Sequence, residues 1–205
     1  NQNKLDESYK EFESMHKICK ENGYKNQCIK PLNNMGVINN MQGNYIESDK
    51  MFSKLIEITA ELGDRRATSQ GYGNLGIAHL FMENYELAVK HLDTQLLIST
   101  KMDDKLSMIN ANQNISYTYI LDGLYEKAVI NAKEALRINS TIDAPDQRGP
   151  YFELLGLAYM QLGEFKSAQN NYKQALELFK KTDNKFSVAE VEGGLGMICV
   201  ERGQY

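Results

Sequence analysis

Histidines and cysteines are the side chains of this 205-residue chain best suited to acid–base, nucleophilic or metal chemistry, and there are three of each. His16, His79 and His91 are isolated in the sequence, and no serine, cysteine or aspartate accompanies them in a pattern typical of a catalytic triad. His79 occupies a position that holds Tyr119 and Tyr159 elsewhere in the chain, so we expect it to be a packing residue. We therefore predict no catalytic residue and expect that the chain is not an enzyme.

The three cysteines, Cys19, Cys28 and Cys199, are an odd number without C-x-x-C spacing. A disulfide framework uses cysteines in pairs, and a structural zinc site commonly uses closely spaced pairs. We therefore predict reduced thiols, no disulfide, no bound metal and a cytoplasmic location.

Two short segments resemble ligand-binding motifs, although structural roles fit them better. Residues 71–76 (G-Y-G-N-L-G) satisfy the G-x-G-x-x-G pattern, but a dinucleotide site requires a preceding strand, and none is predicted there. Asp103 and Asp104 fit the end of a helix better than a pair of metal ligands. The sequence thus predicts no cofactor.

Composition indicates a helical globular protein that does not bind nucleic acid and does not insert into a membrane. Hydrophobic residues make up 42% of the chain and charged residues 24%, with three prolines and no tryptophan. The net charge is −4, and the basic residues form no stripe that would attract nucleic acid. No run of about 20 apolar residues is present, so membrane insertion is not expected.

A pattern with a period of 40 residues runs along the whole chain. A small residue is followed by a turn seven positions later. An aromatic residue comes two positions after the turn, and another small residue comes three positions after the aromatic one. The first small residues are Gly36, Gly76, Ser116, Gly156 and Gly196. The aromatic residues are Tyr45, Tyr85, Tyr125, Phe165 and Tyr205. Such a period predicts a repeated unit of a few secondary-structure elements.

Each unit is predicted to contain two antiparallel helices, because its apolar residues recur at helical spacing on both sides of the turn. Further turns are predicted near Gly23, Gly63, Asp103, Asp143 and Asp183. The predicted helices span 5–21, 26–41, 45–62, 66–82, 85–101, 105–121, 125–141, 148–162, 165–181 and 185–201. Pro31 and Pro150 are expected in the first turns of their helices, where a missing N–H costs little.

This pattern resembles the tetratricopeptide repeat family in its pairs Leu75-Gly76 and Leu155-Gly156, its small residue at Ala88 and its apolar residue at Leu92. The usual unit has about 34 residues. The longer unit resembles a 40-residue subclass that includes Pins/LGN-type adaptors and sensor modules of bacterial regulators. The resemblance implies an all-α fold, namely an α-α superhelix (TPR solenoid) of stacked antiparallel helix pairs with about ten helices.

One solenoid is expected over residues 1–205, and the chain resembles a fragment cut within its repeats. The predicted divisions are a second helix over 1–24, four full repeats over 25–64, 65–104, 105–144 and 145–184, and a first helix over 185–205. The last helix is expected to expose four residues, namely Leu195, Met197, Ile198 and Cys199. Self-association through such terminal faces is a possible outcome, because repeat ends need a cover.

The resemblance implies that the first helix of each pair lines a concave groove for a ligand. The predicted groove residues are Asn34, Val37, Met41, Asn74, Ile77, Phe81, Asn114, Tyr117, Leu121 and Leu157. The three asparagines form a series of amides that can bond to a peptide backbone. The alternative is that these amides bond within the scaffold and that the apolar residues belong to the core between repeats.

The expected function is that of a non-catalytic protein–protein interaction scaffold, a signalling adaptor that binds a peptide or helical segment of a partner. Chaperone-binding relatives hold a carboxylate with basic residues at positions occupied here by Val37, Ile77 and Tyr117, so we expect a ligand with apolar side chains. The alternative is a sensor or self-association region of a larger signalling or regulatory protein.

Overall fold

The computed structural model describes residues 2–142, 144–201 and 203. This part of the chain contains ten α-helices, one short 3-10 helix and no strand, which confirms the all-α prediction. The expected turn at Asp143 and the expected aromatic position at Tyr205 lie outside the described residues.

The helix boundaries follow the 40-residue period. The α-helices are α1 (Gln2–Glu21), α2 (Lys25–Met41), α3 (Tyr45–Glu61), α4 (Arg65–Phe81), α5 (Tyr85–Lys101), α6 (Lys105–Leu121), α7 (Tyr125–Ser140), α8 (Gly149–Gln161), α9 (Phe165–Lys181) and α10 (Lys185–Glu201). Their ends agree with the predicted ones to within one residue, except that α1 begins at Gln2 instead of residue 5.

The chain divides into two compact units, residues 1–103 and 104–205. The first unit contains α1 to α5, and the second contains α6 to α10 together with the 3-10 helix Pro145–Arg148. Within each unit every helix packs against the next one along the chain. The division lies one residue before the predicted boundary between the repeats 65–104 and 105–144.

The turns that end the helices share one backbone geometry. At the end of α2, the Asn44 N–H donates to the Asn39 carbonyl at 2.8 Å and the Gly43 N–H donates to the Asn40 carbonyl at 3.1 Å. This is the Schellman arrangement, whose central residue takes a left-handed conformation. Positive φ values recur in steps of 20 residues, with the undescribed position 143 omitted, at Gly23, Gly43, Gly63, Glu83, Asp103, Gly123, Gly163, Asp183 and Gly203.

The two helices of a hairpin meet where the first helix carries a small residue. A Cβ atom added to the glycine would lie too close to a side chain of the second helix. The pairs are Gly36 with Phe52 at 2.6 Å, Gly76 with Leu92 at 2.7 Å, and Gly156 with Tyr172 at 2.5 Å. Glycine is therefore needed in these three hairpins so that a large side chain can fill the crossing.

The hairpin of α6 and α7 fills the same crossing differently, with Ser116 in place of glycine and Ala132 in place of the large residue. The Ser116 hydroxyl donates to the Ala128 carbonyl at 2.9 Å. In the hairpin of α2 and α3 the equivalent bond runs the opposite way, from the Ser48 hydroxyl to the Gly36 carbonyl at 2.9 Å.

Two expectations about single helices were wrong. Pro31 lies inside α2 and not in its first turn, because that helix begins at Lys25. Ile198 is fully buried beside Val191, while Leu195 and Cys199 are half-buried. The reason is that one side of α10 packs against α9. Of the four residues that were predicted to be exposed, only Met197 is exposed.

Candidate peptide-binding face

The ten predicted groove residues lie on the first helices of the hairpins, on one side of each helix. Positions three or four residues apart in a helix share a face. Thus α2 presents Asn34, Val37 and Met41 together, and the same spacing holds at 74, 77 and 81 in α4 and at 114, 117 and 121 in α6, while Leu157 lies on α8. We call these ten positions the first-helix face and describe it separately in each unit.

In α2, α4 and α6 the first-helix face ends at the last turn with an exposed apolar side chain. Met41 is 66% exposed, Phe81 is 52% exposed and Leu121 is 46% exposed. Tyr117 is 41% exposed, whereas Val37, Ile77 and Leu157 are half-buried. Each unit therefore presents large apolar groups at this face that its own packing leaves in water.

In the first unit, part of this face bonds within the scaffold. The Asn74 side-chain amide donates to the Asn33 side-chain oxygen at 2.9 Å, which links α4 to α2. The Phe81 ring stacks on Tyr45 with ring centroids 5.4 Å apart. The alternative that the amides serve the scaffold thus holds in part for Asn74, whose own side-chain oxygen still offers an acceptor.

In the second unit the asparagine row stops after one member. Asn114 is half-buried on α6, and the next equivalent position is Leu154, which is 8% exposed and packs in the core. Tyr117 and Leu121 still lie at the surface of α6. The second unit therefore offers one asparagine at this face, whereas the first unit offers two.

A half-buried carboxyl, that of Glu153, lies next to the first-helix face in α8. Burial, and to a smaller extent the negative charge of the nearby Glu190, raises the pKa of Glu153 to about 7. Burial, and to a smaller extent the negative charge of Glu153, raises the pKa of Tyr172 to about 12. The Tyr172 ring fills the space over Gly156 and Gly194, so the carboxyl is close to the packing centre of the second unit.

Two of the histidines are not isolated, contrary to the sequence-based expectation. The rings of His79 and His91 stack with centroids 5.1 Å apart, and Tyr72 stacks on His91 at 6.0 Å. Asp49 lies 3.8 Å from the His79 Nε2 atom. Burial, and to a smaller extent electrostatic repulsion by His79, lowers the pKa of His91. His79 is 8% exposed, in agreement with its predicted packing role, but the pairing with residue 91 had no sequence signal.

The prediction of reduced thiols was wrong for two of the three cysteines. A disulfide joins Cys19 near the end of α1 to Cys28 in α2, with Cα atoms 5.6 Å apart. The sulfur of Cys19 also lies 3.9 Å from His16 Nδ1. The sequence signal was that Cys19 and Cys28 lie on either side of the turn predicted at Gly23, which brings the two cysteines close together. The cytoplasmic location rested on those thiols and stays a prediction.

The glycines of residues 71–76 have packing roles. They lie inside α4, and Cβ atoms on Gly71 and Gly73 would lie 2.8 Å from Ile56 and 2.7 Å from Gln95. A dinucleotide fingerprint instead follows a strand and opens a helix, and the described residues contain no strand. None of the helices described is long and apolar enough to cross a membrane.

Comparisons with known proteins agree with this architecture. The crystal structure of BtubC (BKLC) from P. vanneervenii matches with a TM-score of 0.85 and 13% identity, over 98% of this chain and 85% of that one. Aspartyl phosphate phosphatase F from Bacillus subtilis matches with a TM-score of 0.78 and 15% identity, over 83% of this chain and 45% of that one. NprR in complex with its cognate peptide NprX matches with a TM-score of 0.65 and 18% identity, over 87% of this chain and 52% of that one.

At such identities the structural similarity shows the fold alone, and the chain spans only about half of the latter two proteins. A search of curated proteins found no match. Family models described as tetratricopeptide repeat match residues 27–94, 68–140 and 150–182. Because these matches cover most of the sequence, the chain belongs to the tetratricopeptide repeat family.

Proposed function

We propose that this chain is a non-catalytic scaffold that binds a peptide segment of a partner protein through its first-helix face. The observation that carries the proposal is the series of exposed apolar side chains at one register of the repeat, Met41 and Phe81 in the first unit and Leu121 in the second. Exposed apolar groups that recur at one register of the repeat indicate an interaction surface better than scattered ones do.

The chemistry of the face favours a ligand with apolar side chains. The ten positions contain no charged residue, so a carboxylate would lose its hydration without gaining a cationic partner. Asn34 and Asn114 supply half-buried amides, which can donate to and accept from peptide groups. An extended or helical segment with apolar residues and no required terminal carboxylate fits these groups.

The structural neighbour NprR, whose complex contains a cognate peptide, supports the proposal by showing that a protein of similar fold has a peptide ligand. This chain covers 52% of that protein, so a second candidate function is a sensor region of a larger regulator. The two functions differ in what lies next to the repeats, because a sensor acts through an output region.

The proposal is tested with two matched double variants of the first unit. Met41→Ala with Phe81→Ala truncates side chains that are 66% and 52% exposed on first helices, and Ile46→Ala with Leu97→Ala truncates side chains that are 67% and 56% exposed on second helices. Peptides are selected on the wild-type chain from a displayed random library. Their affinities for the three proteins are then measured by titration calorimetry.

We expect the first-helix variant to bind at least about 10-fold more weakly, since truncation of two apolar anchors commonly has that effect. The second-helix variant should bind within about twofold of wild type. Circular dichroism melts guard against misfolding, because Phe81 also stacks on Tyr45. Equal loss in both variants, or loss in the second-helix variant alone, would exclude the proposed face.

A further inference from the structure

Three potential metal ligands meet at the hairpin of α1 and α2, away from the first-helix face. His16 and Cys19 are three residues apart and share a face of α1, and Cys28 lies in the first turn of α2. Their ligand atoms, one nitrogen and two sulfurs, all lie within 4.8 Å of one another. Cys19 and Cys28 are 3% and 4% exposed, so the group sits at the buried side of the hairpin.

These distances suit a tetrahedral zinc site. With Zn–S bonds near 2.3 Å and Zn–N bonds near 2.0–2.1 Å, the ligand atoms of such a site lie roughly 3.5–3.8 Å apart. His16 Nδ1 and Cys19 Sγ are already 3.9 Å apart. The two sulfurs are joined in the disulfide form, and after reduction they need only separate to the distance that a shared metal ion sets.

We propose that, when the disulfide is reduced, Cys19, Cys28 and His16 together bind one Zn²⁺ ion. Two thiolates and a neutral imidazole are ligands that zinc commonly takes in proteins. Binding releases the two thiol protons as two Zn–S bonds and one Zn–N bond form. The disulfide and the zinc complex are then alternative states of one pair of cysteines.

The three ligands line an open cavity, from which a fourth ligand could reach the ion. A cavity of roughly 420 Å³ adjoins the ligands and is lined also by Lys20, Lys54, Glu57 and Glu61. A site with three protein ligands and an open position leaves room for water or for a small exogenous ligand. The cavity belongs wholly to the first unit.

The charges around the cavity are compatible with the metal complex. The complex of Zn²⁺ with two thiolates is neutral, so the nearby lysines do not repel it. Lys25 pairs with Glu61 and Lys54 pairs with Glu57, which further limits their positive field.

The test uses the whole chain after reduction by a phosphine, which takes up oxygen from water as both sulfurs become thiols. The reductant is removed without air, and zinc is titrated in competition with a chromophoric chelator. We expect one equivalent of Zn²⁺ to bind and two protons to be released at a pH below the thiol pKa. Co²⁺ in place of zinc should give thiolate-to-metal charge-transfer absorption typical of tetrahedral sites.

Three variants separate this site from other binding. His16→Ala should weaken zinc binding by more than the roughly 10- to 100-fold that loss of an outer-shell partner costs, yet it should still form the disulfide. Cys199→Ser and His91→Ala should bind zinc as the wild type does, because those residues lie outside the site. The oxidised wild-type protein should not bind.

Equal zinc affinity in the wild type and His16→Ala would overturn the proposal, as would a lack of binding by the reduced wild type. Equal binding by reduced and oxidised protein would overturn it as well. The His16→Ala comparison does not depend on the folding of a cysteine variant, and free-thiol titration of each sample confirms the redox state that is being compared.

Discussion

The two compact units have the same hairpin design and differ in how they fill it. In the first unit the helix crossings combine glycine with a large partner, as in Gly76 with Leu92. In the first hairpin of the second unit, Ser116 replaces the smaller glycine and lies opposite Ala132, which replaces the larger leucine. The comparison teaches that the pair of residues is selected by its summed volume, because a close-packed crossing leaves no room for an extra atom.

The units also differ in the polarity of their interiors. The first unit buries His79 and Gln95 and contains the disulfide between Cys19 and Cys28. The second unit has half-buried tyrosines at the positions equivalent to His79 and buried alanines at the positions equivalent to Gln95. The second unit keeps Asn114 on the first-helix face, and the next equivalent position is the buried Leu154. The packing of the scaffold is therefore repeated more closely than the residues of this face.

Exchanging the two kinds of crossing tests the volume rule most strongly. A Cβ on Gly76 would lie 2.7 Å from Leu92 Cγ, so Gly76→Ser should lower the free energy of unfolding by about 2–3 kcal/mol. Leu92→Ala alone should lower it by about 3 kcal/mol because it leaves a cavity. The double variant recreates the combination of Ser116 and Ala132, and urea titrations should give it a favourable coupling above about 1 kcal/mol. Strict additivity would contradict the rule.

Reduction of the disulfide should destabilise the first unit and leave the stability of the second unit unchanged. The bond between Cys19 and Cys28 closes a short loop, and its loss should cost roughly 2–3 kcal/mol by the chain-entropy estimate. Amide hydrogen exchange in the presence of a chelator should therefore quicken in α1 and α2 and stay unchanged in α6 to α10. Cys199→Ser serves as the control and should change neither unit. Faster exchange throughout the chain would count against a local effect.

The half-buried carboxyl of Glu153 in α8 predicts a pH dependence for the second unit. The folded state raises the pKa of Glu153 from its usual 4.5 to about 7, so folding favours the protonated form. The resulting stability is present at acid pH and falls as the pH rises through the interval between those values. Glu153→Gln should remove this slope and add about 1 kcal/mol above pH 7, a value reduced for partial exposure.

The control for this prediction is Glu177→Gln, a change of an exposed carboxyl on α9. It should leave the pH profile as in the wild type, when both are followed by urea titration between pH 5 and 8. An unchanged slope in the Glu153 variant would show that this carboxyl is not the cause.

The smallest expected effect concerns the left-handed turn residues, and it should be equal in the two units. Glu83 has a φ of 60° and Asp183 a φ of 52°, which side chains other than glycine adopt at a cost. Glu83→Gly and Asp183→Gly should each raise the free energy of unfolding by about 0.5–1 kcal/mol. The reverse change Gly43→Glu should lower it by a similar amount. A gain confined to one unit would indicate contacts of the side chain and not backbone strain.

The sequence predicted the scaffold well because each of its constraints recurs. Gly36, Gly76 and Gly156 repeat the same close approach, and the left-handed turns repeat the same backbone bonds. A period shared by several copies averages out the irregularities of any one of them. That is why the helix boundaries could be placed to within one residue from α2 onward.

Features that occur once could not be predicted in this way. The disulfide of Cys19 with Cys28 and the stacking of His79 on His91 depend on the packing of one hairpin, and no other repeat contains a copy. The hydrogen bond from Asn74 to Asn33 connects two repeats through positions that are not equivalent. A comparison of equivalent positions therefore did not reveal it. The exposure of Met41 and Phe81, in contrast, followed from their register at the ends of the first helices.

Side-chain footprinting with a carbene reagent tests most directly whether the first-helix face binds the ligand. The first unit offers exposed apolar residues on both kinds of helix, Met41 and Phe81 on first helices and Ile46 and Leu97 on second helices. Labelling is compared with and without a selected peptide at saturation. Our account predicts that the peptide lowers labelling of Met41 and Phe81 and leaves Ile46 and Leu97 unchanged. Protection of Ile46 and Leu97 with Met41 and Phe81 still labelled would contradict it.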